Sequence, residues 1–318
     1  MHNILFVKTS SLGDVVHQLP AITDARRQNP DARISWIIEE AFVPLARLHP
    51  GVDEVIPVAT RRWRHRLLQR ATWREISAFK ARVRAIGAQI VIDTQGLLRS
   101  ALIARTSGGV RHGYDRFSIR ESPAAFFYDV THRVSRNLHA VTRNRTLTGL
   151  SLGYSPDWAV DCGLNGLAPA KRSRYALLFH GTSRADKEWK DTEWIEIGQW
   201  LAGQGLEVLL PWANEREHAR CRSLSEQIPG ARILDLQSID VLARTIAAAS
   251  VAIGVDTGLL QLAAACGVPL AAIFVSTQPS LTGPVGSGPI LTFGGNGIST
   301  TAKQVIEAFE QQHILPPP

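Results

Sequence analysis

The sequence predicts an α/β protein with two mostly parallel β-sheets, each covered by helices. Short apolar runs alternate with helical patterns in two series, one over residues 3–106 and one over residues 175–275. Such alternation favours parallel sheets with helices packed on their faces. The length of 318 residues also exceeds the usual size of a single hydrophobic core. We therefore predict two consecutive β/α/β domains with a cleft between them.

The first series gives most of the N-terminal domain. We predict strands over residues 3–7, 34–38, 55–58 and 89–93, and helices over 15–28, 42–48, 73–86 and 97–106. The helix at 73–86 has its apolar side chains on one face, which is the pattern of a helix packed on a core. The pattern weakens between about 107 and 170, where we predict one helix over 137–150 and a linker over 151–174.

The second series ends in the most regular stretch of the chain. We predict strands over residues 175–180, 206–210, 231–234, 251–255 and 268–275, and helices over 192–203, 214–227, 238–249 and 259–266. Asp256, Thr257 and Gly258 form the turn between the strand at 251–255 and the next helix. In a parallel crossover this turn faces the ligand crevice, and the helix N-terminus suits a phosphate. Asp256 and Thr257 can also serve only as helix caps.

The composition favours anionic partners and a reducing compartment. The formal charge is +7 and the pI is about 9.7, which fits nucleic acid, an acidic membrane surface or phosphorylated substrates. Cys162, Cys221 and Cys266 show no metal-binding spacing, so we expect a cytoplasmic protein. The first apolar run is too short for a signal peptide, and Asp256 interrupts the apolar region 246–275. We expect a protein that touches a membrane without crossing it.

A polar turn, KTSSLGD, follows the first predicted strand over residues 8–14. Ser10 and Ser11 offer hydrogen-bond donors, and Gly13 permits a tight backbone. Asp14 is the carboxylate of this turn, at the carboxyl end of a parallel strand. It is either a general base or a helix N-cap. The turn matches neither the dinucleotide-binding nor the Walker pattern.

Two further stretches carry candidate phosphate-binding groups. In HGTSRADKEW, residues 180–189, Thr182, Ser183 and Lys187 can hold phosphate oxygens, or the stretch is a solvated loop. The run 61–84 holds nine Lys and Arg against one acid, Glu75, and is either a phosphate-binding patch or a solvated helix face. No nucleic-acid recognition motif accompanies it. The ten histidines show no paired metal-ligand spacing.

These motifs resemble the lipopolysaccharide heptosyltransferase I family, which is part of glycosyltransferase family 9. The resemblance covers almost the whole chain. It rests on KTSSLGDVVHQLPA at 8–21, RRWR at 61–64, DTQGLLRSAL at 93–102, RHGYD at 111–115, LHAVTRNR at 138–145, SLGYS at 151–155, HGTSRADKEW at 180–189, LPW at 210–212 and VDTGL at 255–259.

The resemblance implies a GT-B fold, with two Rossmann-like domains facing a cleft. Residues 1–160 would bind the acceptor and residues 161–318 the nucleotide sugar. The family's reaction is an inverting transfer of L-glycero-D-manno-heptose from ADP-heptose, without a metal or other cofactor. The acceptor is 3-deoxy-manno-octulosonic acid (Kdo) on lipid A, at the cytoplasmic face of the inner membrane. An anionic membrane surface is then an expected partner, and nucleic acid is not.

The resemblance also assigns roles to residues. Asp14 matches the catalytic base, and Lys187 matches the group that stabilises the leaving diphosphate. The expected donor-binding residues are Thr182, Ser183, Lys187, Glu217, Gln237, Asp256, Thr257, Gly258 and Gln261. The expected acceptor-binding residues are Ser10, Ser11, Gly13, Arg61, Arg62, Arg64 and Arg120.

Two positions depart from the family pattern. Gln261 stands where the family has a histidine that meets the donor, and a glutamine cannot carry its positive charge. Val275, Ser276 and Thr277 replace the family's Gly-Pro-Thr. Two alternatives therefore stay open beside the glycosyltransferase. One is a non-catalytic or altered-donor relative that binds nucleotide sugars or anionic lipids, and the other is a basic nucleic-acid-binding protein.

Overall fold

The computed structural model of the protein describes residues 2–182, 184–295 and 297–315. The chain divides into two compact units, Met1–Ala159 and Val160–Pro318. Each unit contains a six-stranded sheet in which all neighbouring strands are parallel. The predicted α/β class with two parallel sheets is confirmed.

The N-terminal unit alternates strands and helices throughout. Its strands are β1 (Asn3–Val7), β2 (Arg33–Glu39), β3 (Glu54–Val58), β4 (Ile90–Asp93), β5 (Val110–Tyr114) and β6 (Val130–His132). Its α-helices are α1 (Leu12–Val16), α2 (Leu19–Gln28), α3 (Val43–Ala46), α4 (Thr60–Trp63), α5 (Arg70–Ala85), α6 (Leu98–Ala104) and α7 (Ala140–Leu152). Short 3₁₀ helices lie at Glu40–Phe42 and Ser122–Phe127.

The C-terminal unit repeats this alternation. Its strands are β7 (Ser173–Phe179), β8 (Glu207–Leu210), β9 (Arg232–Ile233), β10 (Ala249–Val255), β11 (Leu270–Phe274) and β12 (Ile290–Gly294). Its α-helices are α8 (Asp191–Gly203), α9 (Glu215–Ser225), α10 (Ile239–Ala248), α11 (Gly258–Ala265), α12 (Pro279–Thr282) and α13 (Ala302–Gln311). Short 3₁₀ helices lie at Asn165–Leu167 and Ala185–Lys187.

Both sheets have the Rossmann strand order. The first runs β3-β2-β1-β4-β5-β6, and the second runs β12-β11-β10-β7-β8-β9. In each unit the strand order reverses beside the first strand, between β1 and β4 and between β7 and β10. Ligands of such sheets bind at the carboxyl ends of the strands at this switch point. The topology therefore marks one position in each unit where a site is expected.

The central strands form the core because they are apolar on both faces. Leu5 and Val7 of β1 are fully buried, and every residue of β10 is buried. The predicted helix faces also pack inwards: Trp194, Ile197 and Leu201 of α8 are fully buried. Strands covered on both sides by helices have this continuous apolar composition.

Other predicted elements differ from the structure. The helix predicted over 15–28 is two helices, α1 and α2, because Pro20 lies in the first turn of α2, where its missing N–H costs no hydrogen bond. β5 and β6 lie in the Arg-containing stretch where the apolar pattern weakens. β6 is an edge strand with mostly exposed residues, so burial left little trace in its sequence. β12 and α13, beyond residue 275, were not predicted.

A buried ion pair joins α2 to α7 in the N-terminal unit. The Arg145 Nε donates to the Asp24 Oδ2 over 2.6 Å, and the Asp24 side chain is fully buried. Arg145 also donates to the carbonyl oxygen of Trp158 over 2.9 Å, and the Trp158 indole donates to Asp24. The Asp24 carboxylate and the Arg145 guanidinium thereby have polar partners although both side chains are buried.

We expect Asp24→Ala to lower the free energy of unfolding by about 3–5 kcal/mol, because it leaves the Arg145 charge buried and unpaired. Urea unfolding followed by circular dichroism measures the loss. Asp31→Ala is the matched control, since Asp31 lies exposed just after the same helix. Equal losses in the two variants would contradict a structural role for the pair.

Candidate functional site

An ion pair lies at the switch point of the C-terminal unit. The Lys187 Nζ donates to the Asp256 Oδ2 over 2.6 Å, and the Thr277 Oγ1 donates to the same oxygen over 3.0 Å. The two charged side chains are only 17% and 14% exposed. Charge-assisted bonds in such partly desolvated places are stronger than surface pairs. The loop after β7 thereby holds an ammonium group against the loop after β10.

The same position carries the N-terminus of α11. Thr257 is the N-cap residue, with extended backbone angles and no side-chain capping bond, and Gly258 is the first helical residue. Because Asp256 binds Lys187 and Thr277, capping alone does not account for it. The first-turn N–H groups of a helix and its dipole favour a bound anion.

A cavity of about 590 Å³ opens beside this turn within the C-terminal unit. Its volume falls in the range of small-molecule sites. Side chains of both charge signs and hydroxyl groups dominate its lining. The lining residues are His180, Gly181, Thr182, Glu188, Asp191, Asn214, Arg216, Glu217, Arg220 and Thr257. Three predicted donor residues, Thr182, Glu217 and Thr257, therefore share one cavity.

Glu217 is fixed in the first turn of α9. Its backbone N–H donates to the Asn214 Oδ1 over 3.0 Å, and its Oε2 accepts from the Ala213 N–H over 2.8 Å. A Cβ at Gly181 would lie 2.7 Å from the Glu217 carboxyl carbon. The glycine therefore lets this carboxylate lie directly against the loop after β7.

Arg220 is a cavity residue that the sequence analysis missed. Its guanidinium donates to the His180 carbonyl over 3.0 Å, to the Trp189 carbonyl over 2.6 Å and to the Asp191 Oδ1 over 2.7 Å. These bonds fasten the loop after β7 at both ends. Its spacing of three residues from Glu217 puts both on one face of α9, and that spacing was the available signal.

His180 lies fully buried at the cavity and pairs with Cys221. Its Nε2 is 3.0 Å from the Cys221 Sγ. Burial lowers the pKa of His180 to about 4, with a further contribution from Arg220. Burial also raises the pKa of the Cys221 thiol to about 12. Both groups are neutral near pH 7, so His180 acts there as a packed side chain.

The switch point of the N-terminal unit holds the turn at 8–14. The Ser11 N–H donates to the Asp14 Oδ2 over 3.0 Å, so Asp14 completes a capping box at the start of α1, which also contains Gly13. The N–H groups of Thr9 and Ser10 donate to the Gln95 Oε1 over 3.0 and 3.3 Å. The loops after β1 and β4 are thereby tied together, and Asp14 lies half-buried at the edge where these strands end.

Lys8 is a buried cation beside Asp14 that was not predicted. Its Nζ donates to the Thr94 carbonyl over 3.0 Å. Burial lowers the pKa of Lys8, whereas the charges of Asp14 and Asp93 raise it. The guanidinium charges of Arg143 and Arg120 lower it further. Arg120, predicted for the acceptor, therefore lies within electrostatic reach of this turn, and Arg143 of α7 joins it.

Asp93, at the end of β4, shapes the neighbouring turn. Its Oδ1 accepts from the N–H groups of Gln95 and Gly96 over 2.8 and 3.2 Å, and the Tyr128 hydroxyl donates to its Oδ2 over 2.8 Å. Burial raises the pKa of Asp93, whereas its bonds from Ser100 and Tyr128 lower it. This carboxylate therefore holds the turn that positions Gln95.

The three predicted arginines at 61–64 differ in their surroundings. Arg62 donates to both oxygens of Glu75 over 3.1 and 2.8 Å and also pairs with Glu40, so its charge is locally balanced. The Arg61 guanidinium lies 5.7 Å from the Phe42 ring centre, and the Arg64 Nε donates to His65. In the part of the chain that the structure describes, neither Arg61 nor Arg64 forms a salt bridge.

Gln237 and Gln261, which were also predicted to bind the donor, are not among the described residues that line the cavity. Gln237 accepts a hydrogen bond from the Thr245 hydroxyl over 3.4 Å. Gln261 is buried on α11, and its Nε2 donates to the Thr282 carbonyl over 2.7 Å. Ser183 lies outside the described residues.

Over 2–182, 184–295 and 297–315, no group of three or more His, Cys, Asp or Glu side chains is arranged to hold a metal ion. Within the same residues, no helix combines the length and apolar character that a membrane span needs.

Two Rossmann-like units, each with charged groups at its switch point, form a fold of the GT-B class. The family model of glycosyltransferase family 9 (heptosyltransferase) matches residues 76–308. The chain belongs to glycosyltransferase family 9.

Individual relatives are similar to this chain over nearly its whole length. Lipopolysaccharide heptosyltransferase 1 of Escherichia coli O18:K1:H7 is 36% identical over 317 residues, which cover 98% of this chain and 97% of the relative. The solved structure of E. coli heptosyltransferase WaaC with ADP has a TM-score of 0.90 at 37% identity, covering 97% of this chain and 99% of that chain. The structure of the same enzyme with ADP-2-deoxy-2-fluoro heptose has a TM-score of 0.88 at 35% identity and covers 98% of this chain and 99% of that chain.

We expect Tyr128→Phe to lower the free energy of unfolding by about 1–3 kcal/mol at pH 7, because a buried carboxylate loses a donor. The hydroxyl stabilises the charged form of Asp93, so its removal raises an already raised pKa. A raised carboxyl pKa in the folded state makes stability fall as the pH rises above the ordinary Asp value. The loss is therefore larger at pH 7 than at pH 4.

Urea unfolding at the two pH values measures this difference. Tyr175→Phe is the matched control, because the Tyr175 hydroxyl donates to the Thr245 carbonyl, a neutral acceptor. Its loss should be the same at both pH values. An equally pH-independent loss for Tyr128→Phe would contradict the electrostatic link to Asp93.

Proposed function

We propose that this protein transfers L-glycero-D-manno-heptose from ADP-heptose to a Kdo residue of lipid A, with inversion and without a metal or other cofactor. The observation that carries the proposal is the Lys187–Asp256 pair at the N-terminus of α11, beside a cavity of about 590 Å³. The relatives named as lipopolysaccharide heptosyltransferases support it, as does the solved relative with ADP-2-deoxy-2-fluoro heptose.

In this proposal the C-terminal unit binds the donor. The diphosphate lies at Lys187 and the first turn of α11, where an ammonium and free N–H groups meet. The nucleoside occupies the cavity, where the Glu217 carboxylate accepts from ribose hydroxyls and Gln237 lies towards the adenine. When the glycosidic bond to phosphate breaks, ADP takes the electron pair and gains charge. Lys187 stabilises this charge.

The N-terminal unit binds the acceptor in the same proposal. Asp14 takes the proton of a Kdo hydroxyl as its oxygen bonds to the anomeric carbon. Attack opposite the departing ADP inverts that carbon in a single displacement. Arg61, Arg64 and Arg120 face the acceptor's carboxylate and phosphates, with Ser10, Ser11 and Gly13 shaping the turn. Arg62 contributes less charge, because Glu40 and Glu75 balance it.

The lipid-linked acceptor implies a place of action. We infer that the protein works as a peripheral protein at the cytoplasmic face of the inner membrane. The formal charge of +7 supports this, because excess cations attract a protein to anionic lipid surfaces.

We expect Asp14→Asn to lower the turnover number about 10²–10⁴-fold, because the acceptor hydroxyl loses its general base. The assay combines ADP-heptose with Kdo-lipid A, followed by mass analysis of the lipid. The Kd for ADP, measured by calorimetry, should stay unchanged, since Asp14 lies in the other unit. Asp31→Asn is the exposed control and should retain full turnover.

The outcomes separate the alternatives. Retained turnover in Asp14→Asn would refute Asp14 as the base. A wild-type protein that binds ADP-heptose but forms no product would instead support a non-catalytic relative. Product from another ADP-sugar, and none from ADP-heptose, would support an altered donor.

Gln261 offers a test of the donor side. We expect Gln261→His to raise kcat/KM for ADP-heptose about tenfold at pH 6 and less at pH 8, because a protonated imidazole adds positive charge near the diphosphate. Gln261→Leu is the control that removes the bond to Thr282 without adding charge. Unchanged kinetics in Gln261→His would contradict a donor-side role for this position.

A further inference from the structure

Large apolar side chains are exposed where α4 connects to α5. Leu67 is 49% exposed, Leu68 is 102% exposed and Trp73 is 57% exposed. They lie within seven residues of one another in the sequence. Single exposed apolar side chains are common on soluble proteins, but a cluster of this kind marks an interaction surface.

The segment is an ordered turn. The Trp73 Nε1 donates to the Leu67 carbonyl over 2.8 Å. The Arg66 N–H donates to the Trp63 carbonyl over 2.8 Å, and the Gln69 N–H donates to the Arg66 carbonyl over 3.0 Å. These bonds keep the backbone compact, so the leucines are held outwards.

The neighbouring apolar cluster packs without these leucines. The Trp63 ring packs on the ring of Phe79 with their centres 5.7 Å apart, and its Nε1 donates to the Glu75 Oε2 over 2.8 Å. The Trp63 side chain thus turns inwards, whereas Leu67 and Leu68 do not join the cluster around Phe79. The exposed leucines therefore lie outside this cluster.

Exposed arginines lie between and beside these apolar residues in the sequence. Arg64, Arg66, Arg70 and Arg74 are exposed, and none of them forms a salt bridge with any residue that the structure describes. The acids of this region, Glu40 and Glu75, both pair with Arg62. Exposed apolar side chains interspersed with arginines match the interface of an anionic bilayer, where acyl chains and phosphates lie within a few ångströms.

We propose that residues 64–74 form a membrane-docking wedge for an anionic phospholipid bilayer. Leu67, Leu68 and Trp73 enter the interface between acyl chains and headgroups, and the four arginines contact lipid phosphates. The wedge follows the carboxyl end of β3, in the same unit as Asp14. The wedge adds a membrane-binding surface to the proposed function. It rests on that function only in assuming that the acceptor lies in the same membrane.

The double variant L67S/L68S tests the wedge. Co-sedimentation uses vesicles of phosphatidylcholine with phosphatidylglycerol, and vesicles of phosphatidylcholine alone. The wild-type protein should bind the anionic vesicles, and the variant should bind them about tenfold more weakly, because two exposed leucines are lost. The matched control is L150S/L236S, which replaces two leucines of similar exposure, 49% and 66%, outside the segment.

A second variant tests the arginines of the wedge. R66Q/R70Q/R74Q should lose the preference for anionic vesicles and the salt dependence of binding. Equal vesicle binding by wild type and L67S/L68S would overturn the wedge. A wild-type dimer that becomes monomeric in L67S/L68S, seen by light scattering, would overturn it in favour of a contact between two copies.

Transfer assays keep this proposal separate from the proposed function. With Kdo-lipid A dispersed in detergent, L67S/L68S should retain the wild-type turnover, which also shows that it folds. Lost vesicle binding with retained transfer supports the wedge. Absent transfer in the wild-type protein refutes the proposed function, whereas the vesicle experiment still decides the wedge.

Discussion

The reversal of strand order beside the first strand of each sheet determines where the chemistry of this protein lies. All strands of a parallel sheet end at one edge, and the helices that follow the two strands at the reversal pass to opposite faces. The loops after β1 and β4, and those after β7 and β10, therefore leave an open crevice. Lys187 and Asp256 meet in one of them although they are 69 residues apart in the sequence.

The two crevices carry different electrostatics. In the C-terminal unit a cation and a carboxylate neutralise each other beside a cavity with charges of both signs. In the N-terminal unit the buried Lys8 interacts electrostatically with the carboxylates of Asp14 and Asp93 and, less strongly, with Arg143 and Arg120. The first arrangement suits a ligand with both phosphates and hydroxyls. The second surrounds a single accessible carboxylate with cations that attract an anionic partner.

The fold could be predicted wherever burial leaves a pattern in the sequence. β1 and β10 are buried on both faces and are continuous apolar runs, so their positions were recognised. β6 has two exposed residues out of three, and β5 is VRHGY, which resembles a loop. Their strand structure comes from pairing with β4 and with each other, which is tertiary information.

Only those site residues that belong to recognisable sequence motifs could be predicted. Thr182, Glu217 and Thr257 were found from their motifs, and the structure gathers them around one cavity. Lys8 and Arg220 were missed, because their roles depend on carbonyl groups that folding brings to them. The number of arginines in a stretch likewise does not show which of them are free of nearby carboxylates and can bind an anionic ligand. Two glutamates balance Arg62, and both lie outside its helix α4: Glu40 in a 3₁₀ helix and Glu75 in α5.

The strand order also connects the proposed wedge to the proposed chemistry. β3 and β1 are separated by one strand, which places their carboxyl ends roughly 10 Å apart. The chain leaves β3, forms α4 and then enters the wedge, whereas the Asp14 turn directly follows β1; both connections begin at the same edge of one sheet. A wedge seated in the bilayer interface would thus bring Asp14 near the depth of the lipid headgroups. A hydroxyl on a lipid-linked sugar lies at that depth, so one edge of one sheet could provide both the anchor and the base.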